Sequence, residues 1–136
     1  MKNNTIKWGI IGLGKIANKF ATDLAIVENI QLVAVASRSQ YKADKFAAKF
    51  NVENTYKSYE KLAKDSAVDA VYIATPHSFH KEYALLCMQN KKAVLCEKPF
   101  AMNLQEVEEI IATARENNVL LMEALWTFFY LILSMF

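Results

Sequence analysis

The sequence predicts an α/β fold, a doubly wound and mostly parallel sheet between two layers of helices. Three observations carry this. Short apolar runs of strand length alternate with stretches whose apolar residues recur every three or four positions, the pattern of successive β-α-β units. The longer runs are nearly continuously apolar, as strands covered on both faces require. All three glycines, Gly9, Gly12 and Gly14, fall at the handover from the first run to the first amphipathic stretch, where backbone must turn tightly or admit a close neighbour. With 136 residues, 54% of them apolar and 22% charged, the chain has about one domain's length and a composition that excludes wholesale disorder.

Lys7 to Ile11 is the first predicted strand. Lys15 to Val27 follows as a helix with apolar doublets at Ile16/Ala17, Phe20/Ala21 and Leu24/Ala25, leaving Lys15, Asn18, Lys19, Thr22 and Asp23 to face water. Ile30 to Ala36 is the second strand and Gln40 to Phe50 the second helix. Asn54 to Tyr56 reads as a short strand, and Tyr59 to Lys64 as a short helix. Ala70 to Ala74 is a strand, Thr75 to Phe79 a loop, and His80 to Gln89 a helix with Tyr83/Ala84 and Cys87/Met88 inward. Ala93 to Cys96 forms the next strand. Asn103 then caps a helix lined by Leu104, Val107, Ile111 and Ala114, with Glu106 placed to return a bond to the cap and Asn117-Asn118 ending it. Val119 to Met122 is the last strand, so residues 1–123 read as one three-layer domain and 124–136 as an apolar tail.

Gly12-Leu13-Gly14-Lys15-Ile16-Ala17 has the form G-x-G-x-x-G/A between a strand and a helix. Gly12 gives the tight turn, Gly14 lets a pyrophosphate approach the backbone, and Ala17 allows close helix-strand packing, with the helix N-terminus aimed at the anion. The flanking strand and helix are the context that lifts this pattern above a chance match, and they predict a Rossmann-type dinucleotide site. After the second strand stands Ser37-Arg38-Ser39, with no acid to take a ribose 2′-hydroxyl. Arg38 therefore predicts NADP over NAD, the two serines adding hydrogen bonds to the 2′-phosphate.

Sixteen basic and fourteen acidic side chains, spread without a basic block, give no electrostatic footprint for nucleic acid. Cys87 and Cys96 form neither a disulfide framework nor a Cys-x-x-Cys pair, which suits a reducing cytoplasm. With His77 and His80 they lack a recognised metal-ligand spacing, and no metal is expected. Ala124 to Phe136 carries no charge but falls short of the roughly 18 to 20 apolar residues of a membrane span. Such a segment should be buried or covered by a partner, so a homo-oligomer formed through the tail and an uncovered sheet face is expected.

Glu97-Lys98-Pro99 follows a buried strand at the edge where ligands of doubly wound sheets bind, and a lysine there can exchange a proton with a carbonyl or hydroxyl oxygen. Taken together, Gly9-Ile-Ile-Gly-Leu-Gly14, Ala74-Thr-Pro-His-Ser-Phe-His80, Val94-Leu-Cys-Glu-Lys-Pro99 and Met122-Glu-Ala-Leu-Trp-Thr127 resemble the N-terminal half of the glucose-fructose oxidoreductase and inositol dehydrogenase (Gfo/Idh/MocA) family, over about residues 5 to 127. The last stretch is particularly like the dihydrodiol dehydrogenase branch, which uses NADP. The resemblance implies hydride transfer to or from a sugar or cyclic diol, with Lys98 as proton donor or acceptor. It places Thr75, Pro76 and His77 against the cofactor, with His80 opening the next helix. Glu97 is implied on the nicotinamide side and Trp126 near the substrate entrance.

Members of that branch continue from Trp-Thr into Arg-Phe-Leu-Pro and a second, substrate-binding domain, whereas here Phe128 stands where the arginine would be. The expectation is a reading frame interrupted near Thr127, and a chain that binds cofactor but does not turn over substrate. The alternative is a non-catalytic dinucleotide-binding or interaction module that associates through its tail.

Overall fold

The computed structural model describes residues 5–124. Six strands and five α-helices alternate along it: β1 (Ile6–Ile11), α1 (Lys15–Leu24), β2 (Ile30–Ala36), α2 (Gln40–Phe50), β3 (Asn54–Tyr56), α3 (Tyr59–Ala63), β4 (Ala70–Ile73), α4 (His80–Gln89), β5 (Ala93–Glu97), α5 (Leu104–Asn117) and β6 (Leu121–Ala124). A 3-10 turn, His77–Phe79, leads into α4. The strands form one sheet in the order β3-β2-β1-β4-β5-β6, every neighbouring pair parallel. The chain winds from β1 outward through β2 and β3, then returns beside β1 with β4 and winds the other way. The reversal lies between β1 and β4.

Each strand sends alternate side chains into one of two cores. Trp8, Ile10, Val35, Tyr72 and Leu95 meet α1 and α2 through Ala17, Phe20, Leu24 and Phe46. Ile11, Ala34, Val71, Ile73, Val94 and Cys96 meet α3, α4 and α5 through Leu62, Ala84, Met88 and Ile110 on the opposite face. Phe20 joins α1 to the sheet: its ring lies edge-on to Trp8 at 5.4 Å between centroids and stacks on Tyr72 at 3.9 Å. Burying one such ring contributes about 1.5–3 kcal/mol by area.

The elements differ from the sequence reading at several ends. β1 starts one residue earlier, at Ile6, β5 runs one further, to Glu97, and β4 and α3 each stop one short. α1 stops at Leu24, because Ile26 and Val27 bond back to Asp23 and Leu24 in a tightened turn, and Ala25 and Ile26 end up exposed. β6 begins at Leu121, because Val119 is used to end α5: Asn118 takes left-handed φ, and Val119 N donates to Ala114 O at 3.1 Å. The inward stripe of α5 runs through Ile110, Thr113 and Ala114, leaving Leu104 72% exposed. Thr113 can face inward because its hydroxyl donates to Glu109 O at 2.8 Å. The α5 cap also differs in detail: Asn103 Oδ1 accepts Glu106 N at 2.9 Å, but the Glu106 carboxylate takes Met102 N, one residue before the cap. Ala124 lies inside β6 and is buried; residues 125–136, with Trp126 and the rest of the apolar tail, lie outside the described residues.

Candidate functional site

A cleft of about 410 Å³ opens at the carboxyl edge of the sheet where the winding reverses. Ligands of open α/β sheets bind at this kind of place. The loop after β1 contributes Gly12, Leu13 and Gly14; the end of β2 contributes Ser37, Arg38 and Ser39; the segment after β4 contributes Ala74, Thr75 and Pro76. Lys42 from the first turn of α2 and Tyr59 from the start of α3 complete the wall.

The two loop glycines do different work. Gly12 has φ +90°, and a Cβ there would lie 2.8 Å from the Ala74 carbonyl carbon and 2.9 Å from Thr75 N. Only glycine lets the loops after β1 and β4 come this close. Gly14 has ordinary φ of −89°, and a Cβ on it would meet nothing within 4 Å. It caps α1 with no side-chain bond and is followed by no acidic residue in the first turn, so the α1 amides face the cleft uncompensated. Thr75 Oγ1 is buried in the same cleft wall with no hydrogen-bond partner among the described residues. An open backbone cradle, bare helix amides and an unused hydroxyl fit a dinucleotide phosphate.

At the β2 end, Ser37 is buried and its Oγ accepts Ser39 N at 3.2 Å; Ser39 Oγ accepts Lys42 N at 3.3 Å as the α2 cap. Each hydroxyl keeps its proton to donate. Arg38 and Lys42 are exposed at the cleft, four residues apart across the start of α2. Lys42 went unnoticed in the sequence because it reads as one more solvated helix position; its place in the first turn at the carboxyl edge was the available signal. Tyr59 stands edge-on to Tyr83, 4.7 Å between centroids, which fixes it as an aromatic wall.

Among the described residues, the remaining expected ones lie outside the cleft lining. Gly9 is buried in β1, where a Cβ would come within 2.9 Å of Leu62, so its small size serves packing against α3. Lys15 and Ile16 begin α1 behind Gly14. His77 is exposed on the 3-10 turn. Glu97 and Lys98 follow one another at the end of β5, the first buried and the second exposed. The register pairing Ile73 with Cys96 sets the segments after β4 and β5 side by side at one edge. Glu97 Oε2 accepts the Tyr72 hydroxyl at 2.5 Å, and burial together with that carboxylate pushes the phenol far above its ordinary range. The buried thiols are no nucleophiles: burial raises Cys87 to about 12, and burial, with Glu123 and Glu97 nearby, raises Cys96 too.

His80 is buried, and both its ring nitrogens reach main-chain oxygens, Nδ1 to Pro99 O at 2.7 Å and Nε2 to Thr75 O at 2.9 Å. Next along, Phe100 N donates to Glu123 Oε2 at 2.8 Å. The turn bearing Lys98 is thus held at two successive residues by side chains from α4 and β6.

The model of an oxidoreductase family with an NAD-binding Rossmann fold, GFO_IDH_MocA, matches residues 6–125. The chain is 50% identical over 127 residues to trans-1,2-dihydrobenzene-1,2-diol dehydrogenase of Mus musculus, covering 92% of this chain and 38% of that one. It is 47% identical over 124 residues to scyllo-inositol 2-dehydrogenase (NADP(+)) IolU of Bacillus subtilis, covering 91% and 38%. Among solved structures, KijD10, a 3-ketoreductase of Actinomadura kijaniata in complex with NADP and TDP-benzene, superposes with a TM-score of 0.84 at 34% identity, over 88% of this chain and 37% of that one. The chain therefore spans about two-fifths of the length of the curated relatives it matches.

Proposed function

The chain belongs to the Gfo/Idh/MocA oxidoreductase family, and from that premise we propose that it is the cofactor-binding part of an NADP-dependent dehydrogenase acting on a cyclic vicinal diol or a related sugar. The observation that carries the cofactor choice is the pair Arg38 and Lys42 at the β2 end of the cleft, with two serine hydroxyls beside them and no acid between. The guanidinium and ammonium would pair with the 2′-phosphate, Ser37 and Ser39 would donate to it, and Tyr59 would face the adenine side. The glycine loop and the α1 amides would hold the pyrophosphate. NADP, when bound, supplies the hydride acceptor or donor.

In this reading Lys98 would hold or move the substrate proton. It is exposed at the carboxyl edge on a braced turn. The diol class is drawn from relatives whose names specify a dihydrobenzene diol and an inositol, both hydroxylated six-membered carbon rings. Self-association belongs to the same reading, supported by the uncharged run 124–136 and the exposed Leu120 beside edge strand β6; light scattering on the whole chain should then give a mass above 15.5 kDa.

Calorimetric titration of NADPH and NADH tests the cofactor choice. NADPH should bind more tightly. Arg38→Ala and Lys42→Ala should each weaken NADPH by roughly tenfold while leaving NADH nearly unchanged. Equal affinities in the unaltered chain would sink the NADP assignment.

A further inference from the structure

A second cavity, also of about 410 Å³, adjoins the cleft and shares Leu13 and Lys42 with it. Its other walls are Asn18 from α1 and Lys45, Phe46 and Lys49 from α2. Lys42, Lys45 and Lys49 stand at i, i+3 and i+7, so one face of α2 brings three ammoniums to this groove along about 10 Å of helix axis. Like charges at these spacings destabilise a helix unless something opposes them.

The acids of both helices are engaged elsewhere. Asp23 pairs with Lys19, and Asp44 accepts from Gln40 and from Thr55 in β3. Among the described residues none of the three groove lysines forms an ion pair. One of them is nevertheless held in place: Lys49 donates to Asn18 Oδ1 at 2.9 Å, and Asn18 Nδ2 donates to Gly14 O at 3.0 Å. With Asn18 engaged at both atoms, the lining side chains offer cations and the apolar surface of Leu13 and Phe46.

That lining selects among anions. An extended acidic peptide sets its same-side carboxylates about 7 Å apart and brings N–H groups for which these side chains supply no free acceptor. A compact single anion reaches one end of the row. A chain of phosphates is acceptors throughout and carries charge at every link, so it can meet all three ammoniums.

We propose that the groove between α1 and α2 binds a linear oligophosphate along Lys42, Lys45 and Lys49, and that this anion opposes NADP by drawing on the Lys42 ammonium that both cavities share. The opposition rests on the 2′-phosphate role proposed for Lys42 above; the groove itself does not. Coupling of this kind is reciprocal, so each ligand weakens the other by the same factor.

The whole chain, labelled with ¹⁵N, carries the test, with tripolyphosphate as the probe in magnesium-free buffer at about 10 mM ionic strength, where screening is weak. The Asn18, Lys45 and Lys49 amide signals should shift with one midpoint. Orthophosphate should bind at least about tenfold more weakly. Lys45→Gln combined with Lys49→Gln should weaken tripolyphosphate by about tenfold or more and leave NADPH within about threefold. Should the double variant not fold, Lys45→Gln alone, at an exposed position, should still cost roughly threefold. Saturating NADPH should weaken tripolyphosphate roughly threefold to tenfold, whereas NADH, which lacks the 2′-phosphate, should not. ATP that moves the same amides more tightly than tripolyphosphate makes a nucleotide the source of the phosphate chain; otherwise the source is inorganic.

No shift of these amides up to about 10 mM tripolyphosphate overturns the proposal. So do equal affinity for orthophosphate, unchanged affinity in the lysine variants, or shifts confined to Gly14, Ser37 and Arg38, which would put the probe in the dinucleotide cleft. NADPH that binds without opposing tripolyphosphate overturns the antagonism. Failure of NADPH to bind at all would remove the NADP reading, while the Asn18, Lys45 and Lys49 signals would still judge the groove.

Discussion

The N-termini of α1 and α5 meet the same electrostatic demand in opposite ways. Each leaves main-chain N–H groups without helical partners and gathers partial positive charge. At α5 the protein supplies its own acceptors: Asn103 Oδ1 takes Glu106 N, and the Glu106 carboxylate takes Met102 N. At α1 it supplies none, since Gly14 has no side chain and no acid follows in the first turn. α2 and α3 are capped by Ser39 and Ser58, and α4 carries Glu82 in its first turn. α1 alone among the described α-helices lacks both devices, and it is the one that opens on the cleft. An omission this local, beside four helices that are compensated, is better explained by an anion that completes the site than by indifference to capping.

The largest effect should come from changing the geometry that holds the α1 end open. Gly12→Ala places a Cβ within 2.9 Å of main-chain atoms of Ala74 and Thr75 at a φ of +90°. Both the steric clash and the backbone strain must be relieved by parting the loops after β1 and β4. The expected cost is about 3 kcal/mol or more in urea denaturation, with loss of dinucleotide binding in whatever folds. Wild-type stability in this variant would show that the close approach of the two loops is not needed.

Gly14→Asp would give α1 the solution used by α5. The position has room and ordinary backbone angles, so a side chain can enter without strain. Stability should stay level or rise by a few tenths of a kcal/mol, because an aspartate at the cap accepts an orphan N–H and opposes the dipole. Dinucleotide affinity should drop by about tenfold or more, since the carboxylate occupies the place of the phosphate and repels it. A variant that is both stable and still binds NADPH tightly would show that the phosphate does not use these amides.

Much of this contrast was legible in the sequence. The strand-loop-helix context located the glycine turn, Asn103 announced the α5 cap, and Ser37 to Ser39 marked the β2 end of the cleft. What sequence reading missed were pairings between distant segments. Nothing in the local pattern says that His80 will reach Thr75 and Pro99 together, or that the Tyr72 hydroxyl will donate to Glu97, 25 residues away. Register between β4 and β5 decides both, and register is set by the sheet as a whole. The α5 stripe was misplaced for a related reason: counting apolar residues favoured Leu104, whereas the helix turns Thr113 inward once its hydroxyl is satisfied by Glu109. Gly9 looked like part of the glycine motif, and the structure gives it instead to packing on Leu62.

The smallest effect is expected at α5, and it is the control that gives the other two their meaning. Asn103→Ala removes the side-chain acceptor for Glu106 N but leaves Glu106 on Met102 N, so half of the arrangement survives. The loss should be about 1 kcal/mol, a cap's ordinary worth. Dinucleotide affinity should not change, because Asn103 is not among the residues that line the cleft. Gly14→Asp and Asn103→Ala then form a crossed pair, one changing binding at constant stability and the other changing stability at constant binding. If Asn103→Ala also weakened NADPH, the two helix ends would be coupled through the Phe100 to Asn103 segment that follows the Lys98 turn, and the α1 end could no longer be treated as an independent anion site.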